Sequence, residues 1–454
     1  MCAGVAMGWT SPALPVLQRE GNASAAWAAS PTPPLSLSEE QGSWASALVP
    51  LGAVAGALPS GLLADAIGRK RALLTLAAPY ALGWVFIVSA GQQVWMLYFG
   101  RFLTGLGTGA TTVLTPLYCE EIAEVAIRGA LGAYLDFMIC VGILWIYVLG
   151  AYVPYFWYTL SGCVIPVVFL LTFCWMPESP VFLANKSRHE QARKALEWLR
   201  GGNDYDAQLE MDSMLASMKE SPSISIRQSL SMFFSTNPIR STTSRAVAIV
   251  LGLMLFQQLS GINAVIFYTV QIFNEAGSNL SGEASTIIVG VVQVIAVLCS
   301  SITVDHLGRR FLLLLSTVIM AFCLLCLSLY AVFSKGSDVD NLSIVLWIPL
   351  VALILYVVVF ALGFGPLPWL LMAELLPVHA KGWGSAIAAS FNWAVALLLT
   401  KQFPLMLRHA GQDVTYGILC FFCVLGAIFI AKCLPETKGK TKIEIEESIG
   451  GDKP

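Results

Sequence analysis

The sequence predicts an all-α integral membrane protein whose twelve transmembrane helices form two pseudo-symmetric six-helix bundles. Three observations support this prediction. Of the 454 residues, 57% are hydrophobic and only 12% are charged, which is more apolar material than a soluble chain of this length normally buries. Twelve apolar stretches are each long enough to cross a bilayer. Three charged motifs in the first half of the chain recur in the second half.

The apolar stretches are the predicted transmembrane spans 1 to 12, each about 17 to 30 residues long. They run at 2–18, 42–64, 72–90, 95–117, 129–150, 155–175, 246–274, 284–304, 311–333, 344–373, 383–407 and 412–434. The first begins directly after Met1, so we expect either a truncated chain or a first helix without a leading segment. A cleaved signal peptide is disfavoured because no basic region precedes it.

The positions of Lys and Arg predict the orientation. Most of those outside the stretches lie on the side of the long 176–245 connection, whereas Arg19, Lys335 and Arg408 lie on the other. Because basic residues favour the cytoplasmic side, we expect the linker and the tail to lie in the cytoplasm. The plasma membrane is the expected location, although this pattern of charges does not distinguish it from an internal membrane. The sequons that would then face outwards, and are expected to carry glycans, are Asn22, Asn279 and Asn341.

These spans divide the chain into an N-terminal bundle at 1–175, a cytoplasmic linker at 176–245, a C-terminal bundle at 246–434 and a tail at 435–454. Within the linker, His189 to Arg200 places Ala192, Ala195, Leu196 and Leu199 on one side of an amphipathic helix. The Ser-rich part that follows is predicted to be flexible.

The repeated motifs lie at the predicted cytoplasmic ends of the spans. They are Asp65-Ala-Ile-Gly68-Arg69-Lys70 with Asp305-His-Leu-Gly308-Arg309-Arg310, Glu121 before Arg128 with Glu374 before Lys381, and Pro177-Glu178-Ser179 with Pro435-Glu436-Thr437. Opposite charges at duplicated spacing favour an intracellular gate whose ion pairs join the two bundles and part as the protein opens. The alternative is that they anchor helix ends among lipid headgroups.

Gly and Pro interrupt the spans that begin each three-helix unit. Span 7 contains Gln257-Gln258-Leu-Ser-Gly261, and span 10 contains Gly363-Phe-Gly365-Pro366. Spans 1 and 4 also carry Gly and Pro, so all four are expected to be interrupted, movable and cavity-lining.

Neutral polar side chains cluster near these interruptions. The carboxamides are Gln257, Gln258, Asn263, Gln293 and Asn392. Each offers donors and an acceptor that suit sugar hydroxyls, although single amides also join helices. Trp369 and Trp393 are suited to stacking on a sugar ring. The absence of a ring of charged residues disfavours an ion or a phosphorylated substrate.

Asp136 is a carboxylate inside an apolar span, which makes it a functional candidate. Three interpretations stay open: it is protonated, it binds a sugar hydroxyl, or it pairs with Arg101 of span 4. The hypothesis we carry forward is sugar contact.

Other classes of function are disfavoured. With 26 basic and 28 acidic residues and no long basic tract, nucleic acid is not an expected partner. The Cys323/Cys326 and Cys420/Cys423 pairs lie in apolar sequence without nearby His, so no metal or other cofactor is expected. No nucleophile–base pair can be assembled, so we expect no enzyme.

Six motifs together carry a resemblance to a known family: QQLSGINAVIFY at 257–268, DAIGRKR with DHLGRR, GRFLTGLGTG at 100–109, PESP at 177–180, GFGPLPWLLMAELLP at 363–377 and PETKGKT at 435–441. The chain resembles the sugar porter family of the major facilitator superfamily over essentially its whole length. Within that family it is most similar to class III facilitative glucose transporters and insect facilitated trehalose transporters.

The resemblance implies a monomeric facilitative transporter of glucose, a related hexose or trehalose, working in the lipid bilayer by alternating access. It implies a sugar site of Gln257, Gln258, Asn263, Gln293, Trp369 and Asn392, an extracellular gate residue at Tyr268, and a cytoplasmic network of the repeated charged residues. The alternatives are a proton symporter using Asp136 and a non-transporting sugar sensor; sensors in the family carry a longer tail.

Three positions depart from the family pattern. Asp136 stands where many glucose transporters have Gln, and Ala396 where several have Asn. Proton-coupled members carry an Asp in span 1, where this chain has Gly8-Trp9-Thr10. Proton coupling through span 1 is therefore not expected.

Overall fold

A computed structural model describes residues 1–18, 35–124, 128–201, 207–220, 242–275, 281–334, 347–377 and 381–438, together with 440, 444 and 448. The elements in these ranges are helices, with no strand among them. They form the twelve-span, two-bundle fold predicted from the sequence.

The N-terminal bundle contains spans 1 to 6. Their bounds are Cys2–Gly8 with Thr10–Leu17 (span 1), Glu39–Ile67 (span 2), Arg69–Thr75 with Ala77–Val88 (span 3), Val94–Ile122 (span 4), Arg128–Tyr152 (span 5) and Tyr155–Phe173 (span 6).

The C-terminal bundle contains spans 7 to 12. Their bounds are Thr242–Leu259 with Ile262–Glu275 (span 7), Gly282–Leu307 (span 8), Arg309–Ser334 (span 9) and Ile348–Val359, a π-helix at Phe360–Phe364 and Leu367–Leu375 (span 10). Lys381–Cys433 contains spans 11 and 12, which meet at Gly411, where φ is 85°.

Within the described ranges, nine helices are long and apolar enough to cross a membrane. One of them, Trp383–Cys433, is 51 residues long and crosses twice. Span 4 is also long enough, at 29 residues, but it carries the buried charge of Arg101 and ends in acidic residues. Cys2–Leu17 is a shorter apolar helix.

Span 4 corrects one expectation, because its glycines do not interrupt it. The helix is continuous, and two glycines face span 2 instead: a Cβ at Gly105 would lie 2.2 Å from the carbonyl oxygen of Val49, and one at Gly109 would meet Ala53. The glycines therefore allow two helix backbones to touch, which is the usual role of small residues between membrane helices.

Three short helices, Pro180–Asn185, His189–Leu199 and Ala207–Glu220, form the described part of the linker. Ala192, Ala195 and Leu196 are buried against Leu183 and Met211, as the amphipathic pattern predicted. We call the end of the bundles that carries these helices the linker side, and the other end the far side.

Candidate functional site

Four carboxamides form one chain of hydrogen bonds between spans 7 and 11. Asn263 Nδ2 donates to Gln258 Oε1 (2.7 Å), and Gln258 Nε2 donates to Asn392 Oδ1 (2.8 Å). Asn392 Nδ2 in turn donates to Gln257 Oε1 (2.9 Å). All four side chains are buried, with 5% exposure or less. Because an amide carries both donors and an acceptor, the chain can exchange hydrogen bonds with ligand hydroxyls.

The chain ends at the break in span 10. Gln257 Nε2 donates to the carbonyl oxygens of Phe364 and Gly365, both at 2.8 Å. In a regular helix the Phe364 carbonyl would accept from residue 368, which is a proline without an N–H. The two prolines thus free backbone acceptors, and Gln257 binds one of them.

The second proline-freed carbonyl has a partner of its own. Pro366 cannot donate to Leu362, and the Leu362 carbonyl accepts from Ser300 Oγ of span 8 instead (2.9 Å). Residues 360–364 form the π-helix just before Pro366, and Gly365 N donates back to Phe360 O at 2.7 Å. Irregular backbone inside a membrane protein is expected where it lines a cavity or is satisfied by neighbouring side chains.

The break in span 7 is equally well satisfied. Gly261 has φ +96°, a conformation that favours glycine. Beside it, the hydroxyl of Tyr356 donates to the Ser260 carbonyl (3.0 Å). Span 7 therefore presents Gln257, Gln258 and Asn263 on the two sides of a fixed kink.

The other predicted sugar contacts are not members of this hydrogen-bonded chain among the described residues. Gln293 is buried in span 8, at 5% exposure, and Trp369 is half-buried just after the break in span 10. Trp393 Nε1 lies 3.4 Å from Thr112 Oγ1 and so links span 11 to span 4 of the other bundle. Their predicted roles stay predictions.

Arg101 is the buried group whose surroundings sequence reasoning missed. Its guanidinium is fully buried and donates to Ala6 O and Thr10 Oγ1 of span 1, both at 2.6 Å, and to Ala45 O of span 2 at 3.1 Å. It also lies 5.0 Å from the ring centroid of Trp9. An Arg inside an apolar span was the available signal.

Asp136 does not pair with Arg101, which corrects one of the three interpretations. Arg101 is held by neutral oxygens of spans 1 and 2, whereas Asp136 is half-buried in span 5. One turn away, Cys140 packs against Ala296, Val297 and Ala361 of spans 8 and 10. Asp136 thus lies on a span that meets the other bundle, and sugar contact stays its predicted role.

Tyr268, the predicted gate residue, lies in the far-side half of span 7. It is buried, its backbone is non-helical (φ −120°, ψ 18°), and its ring stacks on Phe403 with centroids 5.7 Å apart. Its hydroxyl donates to the Thr400 carbonyl (3.3 Å). This places Tyr268 against span 11.

Several contacts join the two bundles at the far side. Gln271 Nε2 donates to Gln18 Oε1 (2.9 Å), and Lys401 Nζ donates to Ser43 Oγ (2.7 Å). The Lys401 ammonium also lies 4.4 Å from the ring centroid of Trp44. The bundles are therefore in contact at the far side.

The linker-side charges of the N-terminal bundle pair with one another. Arg69 Nε lies 2.9 Å from Glu121 Oε2, and Arg69 Nη1 lies 3.0 Å from Asp65. Glu178 accepts from the Lys70 backbone N–H at 2.9 Å, and so caps the helix that begins span 3. Gly68, with φ +99°, makes the turn: a Cβ there would lie 2.3 Å from Glu178 Oε2.

The C-terminal bundle repeats this arrangement. Arg309 Nη2 lies 3.6 Å from Glu374 Oε1, and Glu436 accepts from the backbone N–H groups of Arg309 (3.0 Å) and Arg310 (3.1 Å). Burial opposes ionisation of Glu436, but backbone N–H donors, including those of Lys438 and Thr437, outweigh it and lower the pKa of this carboxyl.

These described pairs join spans of the same bundle, so the predicted pairing of the charges between the bundles stays a prediction. The described pairs lie within one bundle each, because the Gly68 and Gly308 turns direct the following Arg towards the next spans of its own bundle. The side chains of Arg128 and Lys381 lie outside the described residues, as do the sequons Asn22, Asn279 and Asn341.

Comparison with known proteins gives a family and a fold. A family model described as "Sugar (and other) transporter" matches residues 3–449. The facilitated trehalose transporter Tret1 of Aedes aegypti is 35% identical over 452 residues, which are 99% of this chain and 54% of that protein. Tret1 of Culex quinquefasciatus is 34% identical over 99% of this chain and 84% of its own length. The chain spans about half the length of the first relative.

Among solved structures, the partially occluded inward-open form of the xylose transporter XylE from E. coli superposes with a TM-score of 0.77. It is 24% identical and the match covers 97% of this chain and 96% of that one. XylE bound to 6-bromo-6-deoxy-D-glucose also gives 0.77, at 24% identity. At this identity the likeness shows the fold alone.

Proposed function

This chain belongs to the sugar (and other) transporter family, and on that premise we propose that it carries a small neutral sugar across a membrane by alternating access. The observation that carries the proposal is the chain of four buried carboxamides that ends at the break in span 10, on the Phe364 carbonyl that Pro368 leaves free. Trehalose and glucose are the proposed cargo, in line with the trehalose transporters that the chain resembles.

The chemistry of the amide chain supports a polyhydroxylated ligand. A sugar hydroxyl both donates and accepts, so it can replace one amide in the chain without leaving the others unpaired. An anion would meet the amide and carbonyl oxygens without a compensating cation, because Arg101 is occupied by Ala6, Thr10 and Ala45. A neutral cargo fits these surroundings best.

We propose that transport is facilitative rather than proton-coupled. The partners of Arg101 are neutral oxygens, and Thr10 stands near the position where proton-coupled family members carry a carboxylate. One observation favours the alternative: Asp136 provides a carboxylate within span 5. Proton symport through Asp136 is therefore the second candidate.

Uptake of radiolabelled trehalose and glucose into transporter-deficient oocytes, at two pH values, tests the proposal. We expect saturable uptake of at least one sugar, insensitive to pH and without accumulation above the external concentration. Asp136→Asn separates the two candidates: a uniporter keeps its pH profile, whereas a symporter loses accumulation. Absence of uptake of either sugar, with the protein shown at the cell surface, would contradict the proposal.

A second experiment asks whether the amide chain is the sugar site. Gln258→Leu removes the amide that joins Asn263 to Asn392, and we expect it to weaken uptake by about tenfold to a hundredfold. Gln208→Leu, which removes an exposed amide from a linker helix, is the matched control and leaves uptake unchanged. Equal uptake by both variants would place the sugar elsewhere.

The proposed topology is a plasma-membrane monomer with bundles at 1–175 and 246–434, and with the linker (176–245) and tail (435–454) in the cytoplasm. The distribution of Lys and Arg supports it. If the far side is extracellular, glycosidase treatment lowers the apparent mass of the wild-type protein on a gel. Replacing Asn22, Asn279 and Asn341 by Gln abolishes this change. The linker contains one further sequon, Asn185-Lys-Ser, and a glycan found there would contradict the proposed orientation.

A further inference from the structure

Span 11 carries a positive charge in the half of the membrane nearest the far side. Lys401 follows the apolar run Leu397-Leu398-Leu399, and it is half-buried, whereas its neighbour Thr400 is fully buried. Taking an ammonium group out of water is costly unless other groups hold it, so a lysine inside a span is expected to have partners. The partners of Lys401 lie on span 2, in the other bundle.

Two side chains of span 2 hold the ammonium group. Lys401 Nζ donates to Ser43 Oγ at 2.7 Å and lies 4.4 Å from the ring centroid of Trp44. The Ser43 hydroxyl donates to the Glu40 carbonyl at 2.9 Å, which leaves its oxygen free to accept from Lys401. Trp is the aromatic side chain that attracts a cation most strongly, and the attraction acts within about 6 Å of the ring centroid.

The span 2 side of this contact is fixed to its own bundle. Ser38 and Gln41 form a capping box at the start of the helix: the Gln41 N–H donates to Ser38 Oγ (3.2 Å), and the Ser38 N–H donates to Gln41 Oε1 (3.0 Å). The hydroxyl of Tyr98 in span 4 donates to the Gln41 carbonyl (3.2 Å). The first turn of span 2 is therefore held in place, and Ser43 and Trp44 with it.

We propose that Lys401 is a positioning residue of the transport cycle, whose ammonium group latches span 11 to Ser43 and Trp44 of span 2 while the far side is closed. When the far side opens, as alternating access requires, spans 2 and 11 part and Lys401 exchanges both contacts for water. The contacts exist only in the closed state, so they lower its free energy relative to the open state. The inference rests on the proposed alternating access but needs no particular sugar.

A cysteine at Ser46 reports the opening. Ser46 lies one turn deeper than Ser43 on the same side of span 2 and is fully buried, so a reagent reaches it when the bundles part. The rate at which Ser46→Cys reacts with membrane-impermeant thiosulfonates, in intact cells and without sugar, measures how often the far side opens. The same variants without Ser46→Cys give the background from native cysteines. A cationic and an anionic reagent are both used, because removing Lys401 also changes the local charge.

We expect a graded response from substitutions at Lys401 and Trp44. Lys401→Met keeps the unbranched apolar stem and removes the charge, so it should raise the labelling rate about fivefold to fiftyfold with both reagents. Trp44→Leu leaves the hydrogen bond to Ser43 and should raise the rate about twofold to fivefold, with Trp44→Phe below it. Lys401→Arg keeps both kinds of contact and should stay closest to the parent. Opposite changes with the two reagents would show a change in local charge alone and overturn the inference.

Two matched controls alter the same end of the bundles. Arg408→Ala removes another cation that joins span 11 to span 2, in an exposed pair with Glu39, and should change labelling by less than about threefold. Trp95→Leu removes a tryptophan of the N-terminal bundle that is 60% exposed, and should leave labelling at the parent level. If these controls raise labelling as much as Lys401→Met and Trp44→Leu do, the effect is general loosening and the inference falls.

Two further measurements separate a latch from a purely structural role. In the Lys401→Met background, Trp44→Leu should have no further effect, and independent, multiplicative effects would contradict the latch. A larger open fraction also raises the apparent affinity for external sugar, so the KM for uptake should fall in Lys401→Met, whereas damage to the fold would raise it. Normal uptake with labelling unchanged by Lys401→Met would reject only this inference. Labelling that responds as expected, without uptake of either sugar, would reject only the proposed cargo.

Discussion

The two bundles are alike at their linker ends and different in the middle of the membrane. At the linker side, Gly68 and Glu178 in one bundle match Gly308 and Glu436 in the other: a glycine with positive φ makes the turn, and a carboxylate caps the next helix. This similarity follows the sequence repeat. The turn is needed twice because the same helix arrangement is built twice.

In the middle of the membrane the bundles differ. There the N-terminal bundle buries the guanidinium of Arg101, whose hydrogen bonds fasten spans 1 and 2 to span 4. The C-terminal bundle buries the chain of neutral amides at two broken helices. The repeated residues form the same turns in both bundles, whereas the unrepeated buried groups differ. Arg101 joins the spans of one bundle, and the amides of the other bundle are the groups that the proposed function assigns to the sugar.

The largest expected effect comes from removing the charge of Arg101 in the N-terminal bundle. Arg101→Leu deletes three hydrogen bonds and the contact with Trp9, so we expect a loss of about 3 to 5 kcal/mol of stability. Arg101→Lys keeps the charge but cannot reproduce the three directed hydrogen bonds, so we expect its stability to lie between those of the wild type and Arg101→Leu. Thermal unfolding in detergent measures both. A melting temperature unchanged by Arg101→Leu would show that the guanidinium does not fasten these spans.

The second effect concerns the amides of the C-terminal bundle. Asn392→Leu interrupts the chain at its centre, and we expect a fall in kcat/KM for sugar of about tenfold to a hundredfold. Ser300→Ala, which removes the bond to the Leu362 carbonyl at the same break, is the control and should change uptake by less than about threefold. Similar losses of uptake in the two variants would mean that transport depends on the break in span 10 rather than on the amides.

The repeated caps predict a smaller, symmetrical effect. Glu178→Gln and Glu436→Gln should each cost about 1 to 2 kcal/mol, because each weakens a charged cap at a helix N-terminus. Glu190→Gln, at an exposed position of a linker helix, is the control with little effect. Unequal losses, measured as melting temperatures, would break the equivalence of the two turns.

The lowered pKa of Glu436 predicts that the stability of the protein depends on pH. The folded protein lowers the pKa of this carboxyl, so its stabilising effect is present above the unfolded pKa of about 4.3 and is lost as pH falls through the lower folded value. Melting temperatures measured between pH 6 and pH 3 should therefore fall less steeply for Glu436→Gln than for the wild type. Parallel curves would contradict the shift.

The smallest effect is expected at the far side. Arg408 Nη1 lies 2.7 Å from Glu39 Oε2 and joins spans 11 and 2, but both side chains are about two-thirds exposed, at 67% and 70%. Arg408→Ala should change stability by about 0 to 1 kcal/mol, and less at high salt. A larger change in melting temperature would show that this exposed pair helps to hold the bundles together.

Part of this architecture was predictable from local sequence. Hydrophobic length gave the spans, and the duplicated motifs gave the two bundles. The Gly-Pro pattern of span 10 gave its break, since proline cannot donate the hydrogen bond that a helix needs. The same reasoning failed for span 4, where Gly105 and Gly109 allow close helix packing and leave the helix unbroken. Glycine spacing alone does not distinguish these two roles.

By itself, the sequence determined the membrane-spanning helices, their pairing into two bundles and the presence of neutral amides near the breaks, because these depend on local composition and spacing. Only the tertiary structure decided which groups meet: Arg69 with Glu121 inside one bundle, Arg101 with neutral oxygens, and Lys401 with Ser43 and Trp44 of the other bundle. The physical reason is that a hydrogen bond or ion pair forms over about 3 Å, and the partners of these groups are dozens to hundreds of residues away in sequence.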